Sequence, residues 1–158
     1  MDEKYMKEAL KEAKKAYDED EIPVGAVIVK DGKIIARAHN KKEQKKDTIC
    51  HAEILAIQKA SKKLNAWRLT GCTMYVTLEP CPMCAGALIN SRIDKVVFAT
   101  ADERTGACGT VLNLLEDYKF NHVVEVEKDV MQKESETMLK EFFKDLRKRL
   151  NNGKKKSN

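Results

Sequence analysis

No stretch of the sequence approaches the ~18 consecutive apolar residues that a membrane-crossing helix needs, so no membrane partner is expected. The N-terminus, Met1-Asp2-Glu3-Lys4, has none of the character of a secretory signal, which points to a soluble, cytoplasmic protein. Internal repeats are missing, and so is any sign of a second domain. The 158 residues suit one domain with a proper core, read here as residues 1–150, followed by a basic, disordered tail over 151–158. An even-numbered disulfide framework is also lacking. The five cysteines, two of them in a CxxC, fit a reducing compartment in which thiolates bind metal.

What the chain does have is charge. Lys and Arg number 30 against 25 Asp and Glu, a balance of +5, and 35% of residues are charged. A surface of this kind is heavily solvated, and its modest positive balance permits a nucleic-acid partner without requiring one.

Hydrophobic spacing sets out the elements. Tyr5, Met6, Ala9, Leu10, Ala13 and Tyr17 recur at three- and four-residue intervals and predict a helix over 2–20. Val24 to Lys30 reads as a buried strand, Asp31-Gly32 as a tight hairpin turn, and Lys33 to His39 as the antiparallel return. Asn40, as a turn residue, opens a lysine-rich loop, Lys41 to Asp47, that leads to His51. A helix follows from Ala52, with His51 in its first turn or just before it. Trp67 is expected as a core or interface anchor. Strands are predicted over 73–78, 95–99 and 123–127, and a helix is predicted to start at Pro82. The long 100–122 segment reads as a functional loop or lid. An amphipathic helix over 131–150 places Phe142 and Phe143 about 100° apart, so that one of them points away from the apolar face. These pieces assemble into an α/β fold, a three-layer α/β/α sandwich around a central five-stranded mixed sheet.

The chemistry concentrates in His51-Ala52-Glu53 and Pro80-Cys81-Pro82-Met83-Cys84. One histidine and two cysteines are the ligand set of a catalytic zinc site whose fourth position stays open to water. Glu53 is left as a proton carrier beside it. Two plainer readings compete. The CxxC could be a redox pair, or the site could be a closed structural zinc completed by Cys50, Cys72 or Cys108. A closed site has no use for a carboxylate beside its histidine, which favours the catalytic reading.

The two half-motifs, in this order and about thirty residues apart, resemble the signature of the zinc-dependent nucleoside and nucleobase deaminases. Over nearly the whole chain the sequence is similar to the bacterial tRNA-specific adenosine deaminases. The likeness is carried by Pro23-Val24-Gly25-Ala26-Val27, Ala38-His39-Asn40, Trp67-Arg68-Leu69, Tyr75 to Cys81, Ser91-Arg92-Ile93, Thr105-Gly106 and Glu141-Phe142-Phe143.

That resemblance implies a cytidine-deaminase-like fold and one zinc per subunit held by His51, Cys81 and Cys84, with Glu53 as the catalytic acid and base. It implies a homodimer in which the partner subunit borders each active site. The substrate would be a tRNA anticodon stem-loop, an arginine tRNA first, whose wobble adenosine becomes inosine. Asn40 would hydrogen-bond the flipped adenine, and Asp102 would contact the loop backbone. Phe142 or Phe143, with Arg147, would touch neighbouring nucleotides. Departures from the family pattern are Cys50 in place of an alanine, Glu103-Arg104 in the loop, and Ser135 in place of a cysteine. Competing readings are a deaminase of free guanine or cytosine, and an RNA-binding module with a structural zinc.

Overall fold

A computed structural model of the protein describes residues 2–156. Ten elements follow in order: α1 Asp2–Asp18, β1 Gly25–Lys30, β2 Lys33–His39, α2 Lys42–Lys45, α3 Ala52–Leu64, β3 Cys72–Leu78, α4 Pro82–Asn90, β4 Lys95–Thr100, β5 Glu125–Glu127 and α5 Gln132–Lys156.

The five strands form one sheet in the order β2-β1-β3-β4-β5. β1 is antiparallel to β2 and β3, whereas β3, β4 and β5 run parallel, so the sheet is mixed as expected. The β1–β2 hairpin closes through Asp31 and Gly32, both with positive φ (51° and 73°). This is the turn chemistry that matches the twist of two antiparallel strands. Between β3 and β4 the chain must cross over, and α4 is that connection. The C-terminal ends of β3 and β4 therefore open side by side, and Glu79 N–H donates to Thr100 C=O there at 2.9 Å.

Helices cover both faces. On one, α3 lays the fully buried Ala52, Ala56 and Ala60 against the sheet, and α4 adds Ala85, Leu88 and Ile89. On the other, α1 packs Tyr5, Met6, Ala9 and Leu10 over Val27, Val29, Tyr75 and Val97, with Met138 of α5 beside them. Small residues on α1 let its backbone come very close to β1. A Cβ at Gly25 would stand 2.1 Å from Ala9 O and 2.4 Å from Ala13 N, and a helix backbone cannot yield as a flexible side chain would. Gly25→Ala is expected to cost ~3 kcal/mol by overpacking. Thermal unfolding should show a fall in Tm of roughly 6–12 °C.

Most element ends fall within two residues of expectation, and three differences remain. The last strand is only Glu125–Glu127, and Val123 is 72% exposed ahead of it. The 41–47 loop contains the single helical turn α2, whose amides are capped from a distance by Glu21. The final helix does not stop at Leu150: it continues through Lys156, so residues 151–156 of the tail expected to be disordered are helical. Arg149 pairs with Asp20 at 2.6 Å just before this extension, and lysine is a good helix former. Residues 157 and 158 of that tail lie outside the described residues. Among the described residues no helix is long and apolar enough to cross a membrane.

Candidate metal centre

Two helix starts meet at the open end of β3. His51 is the N-cap of α3, with extended backbone (φ −78°, ψ 150°), and Cys81 is the N-cap of α4, followed by Pro82 at the first helical position. Because His51 lies outside the helix, its side chain is free of the helical direction that would turn it away from Glu53. His51 and Glu53 can therefore face the same space.

His51 Nδ1 stands 3.7 Å from Cys81 Sγ and 3.5 Å from Cys84 Sγ, and all three donor atoms lie within 4.8 Å of one another. Donors held at ~2.0 and ~2.3 Å from one tetrahedral cation are themselves about 3.6 Å apart, so nitrogen and sulfur here already have the spacing of metal ligands. No other His, Cys, Asp or Glu joins this group among the described residues. Cys50 and Cys108 are buried but outside it, and Cys72 is at the start of β3. The other histidines are engaged elsewhere. His39 lies between Glu12 (3.1 Å) and Glu19 (2.5 Å), and His122 bonds Ile93 C=O at 2.7 Å.

The electrostatics suit a cation. Hydrogen bonds from Cys84 and His51 hold the Cys81 thiol down to about 4, so Cys81 is a thiolate at neutral pH. Cys84 is pushed up because it donates to that thiolate, and His51 is raised for the same reason. A divalent cation bound to these three donors would displace the protons that Cys84 and His51 hold against the Cys81 thiolate. Both cysteines lie in the first turn of α4, where unpaired amides and the helix dipole also favour thiolate. Glu53, in the first turn of α3, is 4% exposed and lies against the cluster; burial pushes it up to about 7.

Two loops wall the cluster, and each is fixed by a buried carboxylate that sequence reasoning did not single out. Glu79, 2% exposed and two residues before Cys81, accepts from the amides of Asp102 (3.1 Å), Cys108 (2.9 Å) and Thr110 (3.2 Å) and from the Thr110 hydroxyl. The loop wraps so tightly that a Cβ at Gly106 would meet Glu79 Cδ at 2.5 Å. Glu21 does the same for the 41–46 loop. The sole local signal for Glu79 was its place between a strand end and the CxxC; Glu21 gave none.

Asn40 is buried at the exit of β2, with Oδ1 accepting from Lys42 N–H (3.2 Å) and Nδ2 making a long 3.4 Å bond to Ile22 C=O. Asp102 turns its carboxylate onto the amides of Arg104 and Thr105. The α5 residues are not brought to the cluster by any contact among the described residues. Phe142, 3% exposed, packs edge-on against Tyr17 of α1, whereas Phe143 is 38% exposed and Arg147 is exposed. Phe142 is therefore a packing residue, and of the two rings it is Phe143 that faces solvent. Trp67, expected as a core or interface anchor, is 56% exposed with Arg68 over its ring at 4.5 Å. Phe142→Ala should cost ~3 kcal/mol, and Phe143→Ala less than ~0.5 kcal/mol. Urea unfolding of the two variants separates these roles.

Residues 1–147 match the MafB19-like deaminase family. The chain is 55% identical over 148 residues to a tRNA-specific adenosine deaminase of Bacillus subtilis (strain 168), covering 94% of this chain and 92% of the relative. It is 50% identical over 145 residues to one of Aquifex aeolicus (strain VF5), covering 92% and 95%. A solved structure from work on A-to-I editing by tRNA:A34 deaminases at the wobble position superposes with a TM-score of 0.83 at 38% identity, covering 86% of this chain and 99% of that one. The chain belongs to the MafB19-like deaminase family, among the tRNA-specific adenosine deaminases.

Proposed function

We propose that the protein is a cytoplasmic, zinc-dependent homodimer that hydrolyses the wobble adenosine of a tRNA anticodon, an arginine tRNA first, to inosine and ammonia. The observation that carries this is the three-donor cluster of His51, Cys81 and Cys84 with the buried Glu53 beside it. Three donors of this type suit zinc, and the lack of a fourth protein donor among the described residues leaves room for water, as a catalytic site requires and a structural site does not. Bound there, zinc supplies a Lewis acid that makes a water nucleophilic near neutrality.

The protein's own part is proton movement and positioning. A carboxyl whose pKa is about 7 releases and accepts protons with equal ease at neutral pH. Glu53 takes the proton of the attacking water and delivers protons to the ring nitrogen and to the departing amine. Because it lies off the ligand set and away from solvent, those protons are not lost to bulk water. The adenine must leave its stack to reach this depth, and an anticodon loop offers unstacked bases where a duplex does not.

Asn40, whose Nδ2 is weakly held, hydrogen-bonds the base, and Asp102 meets the loop backbone. Phe143 and Arg147 contact neighbouring nucleotides, with Phe143 supplying the exposed ring. The partner subunit closes the site edge.

Purified protein incubated with tRNA transcripts, adenosine, guanine and cytosine side by side tests the reading. Inosine at the wobble position, read as A-to-G on sequencing, with the free bases unchanged is the expected result. Turnover of guanine with inert tRNA contradicts it.

A further inference from the structure

Glu21 is another buried carboxylate, away from the donor cluster, and it makes no ion pair among the described residues. Glu21 is 1% exposed, and its two oxygens accept from the backbone amides of Glu43 and Gln44, each at 2.8 Å. Buried carboxylates are ordinarily paired with a cation; this one instead folds the 41–46 segment into the turn α2, closed by Lys46 in left-handed conformation (φ 50°). The same segment is tied beside the cluster. Asn40 N–H donates to Val24 C=O at 3.1 Å, and Lys41 N–H donates at 3.0 Å to the carbonyl of Cys50, the neighbour of His51.

Lys42, Lys45 and Lys46 are exposed, and none is paired with a carboxylate among the described residues. Four lysines over residues 41–47 outnumber Glu43, Asp47 and the inward-facing Glu21, and the two loop acids do not pair with them among the described residues. Since Glu21 already occupies the α2 amides, an anion arriving here meets lysines and not a free helix end.

We propose that the 41–46 loop clamps RNA phosphates next to the target base through Lys42, Lys45 and Lys46, and that Glu21 is the positioning residue that shapes this clamp. The inference rests on the reading of an RNA substrate. Phosphate contacts fix register without reading sequence, which is what a base held at the His51–Cys81–Cys84 cluster leaves for its surroundings to do.

The test measures tRNA binding and steady-state kinetics across salt concentrations for the full-length protein. Lys42→Gln/Lys45→Gln/Lys46→Gln should raise KM for tRNA on the order of tenfold and reduce the slope of log K against log salt by roughly 2, at ~0.7 per single-stranded phosphate contact. Glu21→Gln should raise KM and lower the salt slope with all three lysines still present, which a merely structural role would not do. Lys62→Gln/Lys63→Gln, at the far end of α3, should leave the slope unchanged. An unchanged slope in the triple variant overturns the clamp, as does an equal fall in the α3 pair. Loss of stability in Glu21→Gln with an unchanged slope removes Glu21 from the proposal. If wild-type protein does not deaminate tRNA, the reading of function fails; if it does and the triple variant behaves as wild type, only this inference fails.

Discussion

Replacing Glu53 with glutamine is expected to leave the metal content unchanged while slowing deamination by at least ~10²–10⁴-fold. The two parts of this outcome have separate physical causes. Metal content holds because Glu53 is not one of the three clustered donors, and because glutamine keeps the shape of a buried side chain whose charged form burial already disfavours. The rate falls because an amide neither accepts the water proton nor returns one to the leaving amine. Metal analysis and single-turnover assays on tRNA, made on the same preparation, read both parts. A variant with wild-type rate would take Glu53 out of the mechanism.

The second large effect is at Cys84. Its Sγ is fully buried and 3.5 Å from His51 Nδ1, in the first turn of α4. Serine at this position offers a shorter and harder donor that is not ionised at neutral pH. Loss of groups that merely orient ligands costs ~10–100-fold in metal affinity, so loss of a direct ligand should exceed ~100-fold. Dialysed Cys84→Ser protein should retain little metal and no activity, whereas Cys50→Ala, outside the cluster, should keep both. Full occupancy in Cys84→Ser would mean that another thiol, such as Cys50 or Cys108, completes the site.

The elements that decide the site were legible because their chemistry is local. Asp31-Gly32 announces its hairpin, Pro82 announces the start of α4, and the apolar spacing after Ala52 places His51 at a helix end. Residue type and spacing pointed to a cluster of soft donors, but with Cys50, Cys72 and Cys108 also present it took the family resemblance, and then the fold, to single out His51, Cys81 and Cys84. What stayed hidden depends on contacts between distant residues. Glu21 and Glu79 bond amides 22 to 31 positions away, and their neighbours in the sequence name none of those partners.

Between Phe142 and Phe143, helical geometry says that one ring turns inward. Only the position of Tyr17 on α1 decides that it is Phe142. The end of the last helix at Leu150 is set aside for a similar reason: the Arg149–Asp20 pair anchors α5 to the turn that follows α1, and the helical turns continue past it. The single turn α2 shows the same dependence, since a lysine-rich run has no cap of its own and takes one from Glu21.

X-ray absorption at the zinc edge of the purified, active enzyme tests the central claim most directly. Two sulfurs at ~2.3 Å and two lighter donors at ~2.0 Å, one of the latter exchangeable with solvent, are the predicted shell. A third sulfur, a fourth protein donor, or active enzyme without metal would contradict it.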